Sequence, residues 1–159
     1  MSNFKDKMLI GRKEDIDLPK LKLKDLDAKV DTGAYTSSLH CHHIKVKEID
    51  GTKFLTFKLL DPEHASYQKK IFKFKNFERK YVKSSNGQKE LRYVIKTTLR
   101  IYGIDIETEF SLTDRSSMKH PVLLGRKFIN QGFIVDVSKK NIASQEEVIR
   151  CKLIREKLS

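Results

Sequence analysis

The residues best suited to chemistry are Ala28-Lys29-Val30-Asp31-Thr32-Gly33-Ala34. An apolar strand delivers an aspartate onto a tight turn. Gly33 has no Cβ, so backbone N–H groups can come close to the carboxylate. The Thr32 hydroxyl can bond neighbouring backbone and stiffen the turn. A carboxylate that is oriented, partly desolvated and supported by donors suits a general base that activates water. Asp-Thr-Gly strings also occur in ordinary turns. The triplet gains weight from a second element far along the chain, Pro121-Val-Leu-Leu-Gly125-Arg126-Lys-Phe-Ile129.

Three other clusters compete. His40-Cys41-His42-His43 puts His40 and His42 on one face of a strand, which suits two metal ligands. A third ligand would have to be His64, His120, Cys151 or a carboxylate. There is no H-E-x-x-H and no C-x-x-C, so neither a metal nor any other cofactor is predicted. The stretch Lys69 to Lys83 interleaves basic and aromatic residues, as a platform for single-stranded nucleic acid does. Its period of two instead reads as strands with aromatics inward and lysines outward, and nucleic acid is not an expected partner. Cys41 and Cys151 stand in no recognisable nucleophile motif, and no P-loop is present for ATP.

The chain has 159 residues, enough for one domain, and nine Phe and five Tyr to fill its core. Lys and Arg total 33 against 21 Asp and Glu, a net charge of +12. That field attracts polyanions: nucleic acid, acidic peptide or an anionic membrane surface. No apolar run is long enough to span a membrane. Met1 to Lys7 has no apolar core of a signal, and two cysteines make no disulfide framework, so a cytoplasmic location is expected.

The elements that must position Asp31 read mostly as strands. Leu26 to Asp31 is one, and Leu39 to Ile49 alternates at Ile44 and Val46 with a slip before Ile49. Asp50-Gly51 is a hairpin turn leading into Phe54 to Leu59. Ile71 to Phe77 is extended, and Asn86-Gly87 is the strongest hairpin signal. Tyr93 to Tyr102 and Ile104 to Leu112 alternate on either side of Gly103. Pro121 to Leu124 and Phe133 to Val137 are short apolar strands. Gly125 to Gln131 gives a short helix stopped by Gly132. Ser144-Gln-Glu-Glu147 has capping-box spacing, and Val148, Cys151, Ile154 and Leu158 fall on one helical face behind it. The fold class is mainly β, with a short internal helix and a C-terminal helix.

Asp31-Thr-Gly-Ala34 followed by Leu123-Leu-Gly125-Arg126 resembles the retropepsin-type aspartic proteases. A narrower resemblance runs through Ile10-Gly-Arg-Lys-Glu14, Leu18-Pro19, Thr36-Ser-Ser-Leu-His40, Lys83-Ser-Ser-Asn-Gly87, Arg92 and Leu112-Thr-Asp-Arg115-Ser-Ser-Met118. The chain is similar to the bacterial retropepsin-like family once labelled ATP-dependent zinc proteases, whose genes accompany ATP-grasp ligases that add glutamate to proteins. The resemblance implies a closed acid-protease-like β-barrel over residues 1–138, with a ψ-shaped loop at the site; residues 139–159 lie beyond it and read as a helical extension from their own pattern. The resemblance also implies an aspartic peptidase acting on acidic or glutamylated proteins, with a functional link to an ATP-grasp ligase.

Under that resemblance Asp31, Thr32 and Gly33 form the catalytic turn. Ala34, Ser37, Ser38, His40, Asn86, Gly87, Arg115 and Arg126 line the substrate cleft, with Ser84 to Gln88 as a flap. Two carboxylates must share one proton, because like charges ~3 Å apart cannot both ionise. The chain has one Asp-Thr-Gly. The second carboxylate comes from a homodimer partner or from an intrachain acid such as Asp136. One departure stands out: the acid that commonly follows Asp-Thr-Gly-Ala is here Tyr35. Arg126 is then left to pair with another acid, such as Glu14, or to receive a substrate carboxylate. Two alternatives stay open: a non-catalytic module reading acidic tails or nucleic acid, and a zinc-dependent hydrolase built on His40.

Overall fold

A computed structural model of the chain describes residues 6–59, 69–83, 86–114, 120–146 and 156–157. The strands are β1 (Met8–Gly11), β2 (Lys13–Leu18), β3 (Leu23–Val30), β4 (Ser37–Ile49), β5 (Thr52–Leu59) and β6 (Ile71–Phe74). They continue as β7 (Glu78–Lys83), β8 (Lys89–Ile101), β9 (Ile104–Thr113), β10 (Val122–Leu124) and β11 (Phe133–Asp136). One short helix, α1 (Arg126–Ile129), follows β10. The fold is mainly β, as expected.

The main sheet runs in the order β10-β3-β2-β8-β9-β4-β5-β6, and β10 also pairs with β4. Six strands therefore return on themselves as a ring: β10, β3, β2, β8, β9 and β4. The seam between β2 and β8 is thin, held in register at Asp17 and Arg100. β5 and β6 extend outward from β4, β7 pairs with β8, and β1 and β11 form a separate parallel pair. Inside the ring, alternate residues of each strand meet. Ile16, Leu26, Leu39, Leu99, Phe110 and Val122 are buried, in one core with Phe57 of β5 and Phe128 of α1.

Turn chemistry sets the hairpins. Asp50 and Gly51 have φ of 51° and 79°, and Tyr102 and Gly103 have φ of 56° and 68°. Two consecutive positive φ values are the mark of the type I′ turn, whose twist matches the strands on either side. The slip in β4 sits at His43, not before Ile49: His43 has φ 54°, and the register with β5 shifts between His42 and Lys45. Around Asn86-Gly87 the tip is wider than a two-residue turn, because the last pair is Lys83 with Lys89.

The basic-aromatic stretch folds as its period requires. Phe72 is buried, and both Phe72 and Phe74 stack on Phe57, at 5.9 and 5.6 Å between ring centroids.

The chain after β11 is fastened back onto β2. Arg12 N donates to Lys139 O at 2.8 Å, and Asn141 N donates to Lys13 O at 2.8 Å. Residues 142–146 are helical, so Ser144 lies inside a helical turn and does not cap it. Its Oγ donates to Asn141 O at 3.3 Å. The cap comes from far away. Glu14, fully buried on β2, accepts from Ile142 N at 3.1 Å and Ala143 N at 2.9 Å, and from Gly11 N at 2.8 Å. The apolar face at Val148, Cys151, Ile154 and Leu158 lies outside the described residues.

Candidate active site

Asp31 follows the last residue of β3, and β10 holds it there. Val122 pairs in parallel with Ala28 of β3 and antiparallel with Leu39 of β4. β10 thus runs between the two arms of the loop that carries Asp31, giving a ψ-shaped arrangement. The Asp31 N–H donates to Leu124 O at 2.9 Å and continues the β10 ladder to the turn.

Within the turn, Gly33 N donates to Asp31 Oδ1 at 3.0 Å, and Ala34 N donates to the Asp31 carbonyl at 3.3 Å. Asp31 Oδ2 makes no hydrogen bond among the described residues. Asp31 is half-buried, while Thr32 and Gly33 are exposed. One carboxylate oxygen is therefore fixed and the other is free, the disposition a water-activating base requires. The stiffening expected of the Thr32 side chain is not there. Its hydroxyl has no partner among the described residues, and the carbonyl of Thr32 is the group that is held.

The second motif locks the turn from behind. Arg126 N donates to Ala34 O at 2.8 Å, and Lys127 N donates to Tyr35 O at 2.9 Å. Gly125 N donates to Ser37 Oγ at 3.0 Å. Gly125 must be glycine, because a Cβ there would lie 2.8 Å from Tyr35 O and 2.9 Å from Ala34 O. Arg126 Nη1 donates to Thr32 O at 3.0 Å, and its guanidinium lies 5.8 Å from the centre of the Tyr35 ring. The suggested pairing of Arg126 with Glu14 does not occur, because Glu14 is committed to three backbone donors.

Ser38 and His40 lie further along β4 and are buried. Ser38 sits beside Leu123 of β10 and Ser111 of β9, and His40 beside Thr113. His40 N donates to Pro121 O at 2.9 Å, while its buried Nδ1 has no hydrogen-bond partner among the described residues. Asn86 and Gly87 are exposed between β7 and β8, where Gln88 N donates to Asn86 Oδ1 at 3.4 Å. Among the described residues, no hydrogen bond or ion pair joins Asn86 or Gly87 to Asp31. Arg115 lies outside the described residues.

Two further groups find other work. Asp136 accepts from Ser138 Oγ at 2.6 Å and Ser138 N at 3.0 Å, and these bonds hold its carboxyl below the usual range. It forms no ion pair among the described residues. His120 Nδ1 lies 2.8 Å from Asp27 Oδ2, a local contact across β3. Among the described residues, no three His, Cys, Asp or Glu side chains converge as a metal site. The Cys41 thiol is buried, and burial pushes its pKa well up. Glu14 is a structural acid, committed to backbone donors and not to Arg126. The available sign of its burial is period two: Glu14 falls on the same face of β2 as Ile16 and Leu18.

A mainly β ring with a single Asp-Thr-Gly turn, and a strand threaded between that turn's arms, is a retropepsin-like, peptidase-like fold. Residues 9–146 match the family described as RimB-like, retropepsin-like aspartic endopeptidase RimB, and the chain belongs to that family. A protein from Shewanella pealeana named "Probable alpha-L-glutamate ligase" is 35% identical over 133 residues, which cover 84% of this chain and 29% of that protein. A protein of the same name from Desulfotalea psychrophila is 30% identical over 138 residues, 86% of this chain and 29% of that protein. The chain thus spans less than a third of these curated relatives. A crystal structure of a protein of unknown function from Legionella pneumophila is similar at a TM-score of 0.63 and 28% identity. The match covers 85% of this chain and 97% of that one. Among the described residues no helix is long and apolar enough to cross a membrane.

Proposed function

We propose that the chain is an aspartic-type peptidase that hydrolyses peptide bonds in acidic or glutamate-extended proteins, working as a homodimer. The observation that carries this reading is the asymmetry of Asp31. One oxygen is held by Gly33 N–H at 3.0 Å and the other is free on a half-buried carboxylate. Asp136 is engaged with Ser138, and Glu14 with backbone donors, so neither serves as the second acid. A second Asp31 across a two-fold axis does, and the exposed Thr32 and Gly33 leave the turn open to that copy.

In this mechanism the two Asp31 carboxylates share one proton. The ionised one takes a proton from a water held between them as the water oxygen bonds to the scissile carbonyl carbon. The protonated one gives its proton to the carbonyl oxygen, forming a neutral tetrahedral diol. Collapse breaks the C–N bond. The leaving nitrogen takes the proton gained from water, and a diol hydroxyl returns the other to the carboxylate pair. Arg126, through the Thr32 carbonyl, keeps the turn in place.

The substrate class rests on charge and kinship. A net charge of +12 favours acidic chains. Relatives named as glutamate ligases support work alongside an enzyme that builds glutamate extensions. The test is Asp31→Asn, assayed on a peptide with an oligoglutamate tail. Cleavage is lost and the unfolding temperature is kept; turnover by the variant at the wild-type rate refutes the reading. Sedimentation in the assay buffer shows a dimer if the partner supplies the second acid.

A further inference from the structure

Away from Asp31, a trough of about 1040 Å³ runs along β6 and the 75–78 connection, floored by residues of β8 and β9. Lys20, Lys70, Lys73, Lys75 and Lys96 line it. None of the five forms an ion pair among the described residues; Lys70 sits 5.4 Å from the centre of the Phe72 ring. Three acids also line the trough, but two are already neutralised. Glu78 is 3.5 Å from Lys80, and Glu109 is paired with both Lys80 and Lys127, neither of which lines the trough. Only Glu107 remains to face the five lysines. The trough is therefore cationic on balance: Glu107 faces it and Asp105 acts on Lys20, which leaves the five lysines in excess.

Its wall has a second property. β6 ends the main sheet: it pairs with β5, and no strand lies on its other side among the described residues. A free edge offers main-chain donors and acceptors at the spacing of an extended chain.

We propose that this trough is a second binding site, distinct from the Asp31 turn, for an extended acidic peptide added along the edge of β6. Carboxylates of the peptide meet Lys73 and Lys75 on the wall and Lys20 and Lys96 across it, while its backbone pairs with β6. The site takes peptide and not nucleic acid, because the Phe72 and Phe74 rings are stacked on Phe57 and are not free to stack bases. The inference rests on the proposed substrate class and extends it. An acid-rich segment remote from the scissile bond would be held here, raising affinity for tailed substrates by making the second contact intramolecular.

The test measures binding of a fluorescent oligoglutamate peptide to the full chain carrying Asp31→Asn, so that hydrolysis plays no part. Lys73→Glu with Lys75→Glu weakens binding about tenfold or more. Lys45→Glu with Lys47→Glu, the same charge change on exposed residues of β4 outside the trough, changes it about twofold or less. Peptide N-methylated at alternate residues binds weakly if its backbone pairs with β6. Equal losses in the two lysine pairs overturn the site, as does full binding of the N-methylated peptide. Displacement of the peptide by a much tighter oligouridine assigns the trough to nucleic acid and also overturns it. So does an oligomer that dissociates with Lys73→Glu and Lys75→Glu, because the edge is then filled by a second copy. Binding that follows the expected pattern in a chain with no hydrolytic activity leaves this inference standing and removes the peptidase reading.

Discussion

The Arg126 guanidinium donates to the Thr32 carbonyl at 3.0 Å and covers the Tyr35 ring, tying the helix after β10 to the middle of the Asp31 turn. The contact replaces the ion pair expected where an acid, and not Tyr35, follows Asp-Thr-Gly-Ala. Its effect is positional: Thr32 and Gly33 are both exposed, and this bond is what holds the Thr32 carbonyl.

Arg126→Ala should therefore slow turnover more than it weakens substrate binding. A loss of about tenfold in kcat, or ~1.4 kcal/mol in the barrier, is expected with little change in KM. Arg126→Lys should recover only part, because an ammonium cannot both donate to Thr32 O and lie flat on the Tyr35 ring. A rise in KM at constant kcat would instead mark Arg126 as a substrate-binding group.

Gly125 tests the same lock sterically. A Cβ there would press on the carbonyls of Ala34 and Tyr35 at 2.9 and 2.8 Å, backbone groups that cannot swing away. Gly125→Ala should cost about 1–3 kcal/mol in urea unfolding. It should also abolish activity, because relief of the clash moves the Asp31 loop. Gly51→Ala, in a hairpin with open space around it, should be destabilising only through its positive φ, by about 1 kcal/mol, and leave activity intact.

Glu14 ties Ile142 and Ala143 to β2. Its fully buried carboxylate satisfies Gly11, Ile142 and Ala143. Glu14→Ala strands three donors, each costing about 1–3 kcal/mol, and should lower stability by several kcal/mol. Glu14→Gln keeps one acceptor oxygen and should lose less. Hydrogen exchange at residues 142 and 143 should accelerate in both variants. Unchanged protection there would show that Glu14 does not hold the segment.

Much of this was legible because local chemistry and tertiary need agree. Asp50-Gly51 and Tyr102-Gly103 accept the positive φ of a tight hairpin, so β4–β5 and β8–β9 could be read directly. Asp31-Thr-Gly and Leu123-Leu-Gly125-Arg126 are close-packed motifs whose residue types are dictated by backbone approach. What escaped depends on contacts distant in sequence. β1 is only four residues long and β2 opens on three successive charges, Lys13-Glu14-Asp15; they pair with β11 and β8, strands far along the chain, so no local pattern reveals them. Ser144 looked like a cap because Ser-Gln-Glu-Glu has the right spacing; Glu14, more than a hundred residues upstream, takes that role. The Glu109 pairs, spanning β7, β9 and α1, were invisible for the same reason.

Glu109 gives the fold an acid-sensitive clasp. Its hydrogen bond from Lys127 above all, with Lys80 at 3.2 Å adding, holds its carboxyl below the ordinary value of 4.5 against the burial that opposes this. A depressed carboxylate contributes stability that is fully present above its unfolded-state pKa and is lost as pH falls through the folded one. The urea midpoint should thus decline as pH falls below 4.5. Asp136 and Asp105, also depressed, by Ser138 and Arg100, add to the same slope but are exposed and screened. Glu109→Gln should flatten part of the decline while lowering stability at neutral pH, and Lys127→Ala should do the same more weakly because Lys80 remains. If Glu109→Gln leaves the acid limb of the stability profile unchanged, the clasp between α1 and the sheet contributes nothing in solution.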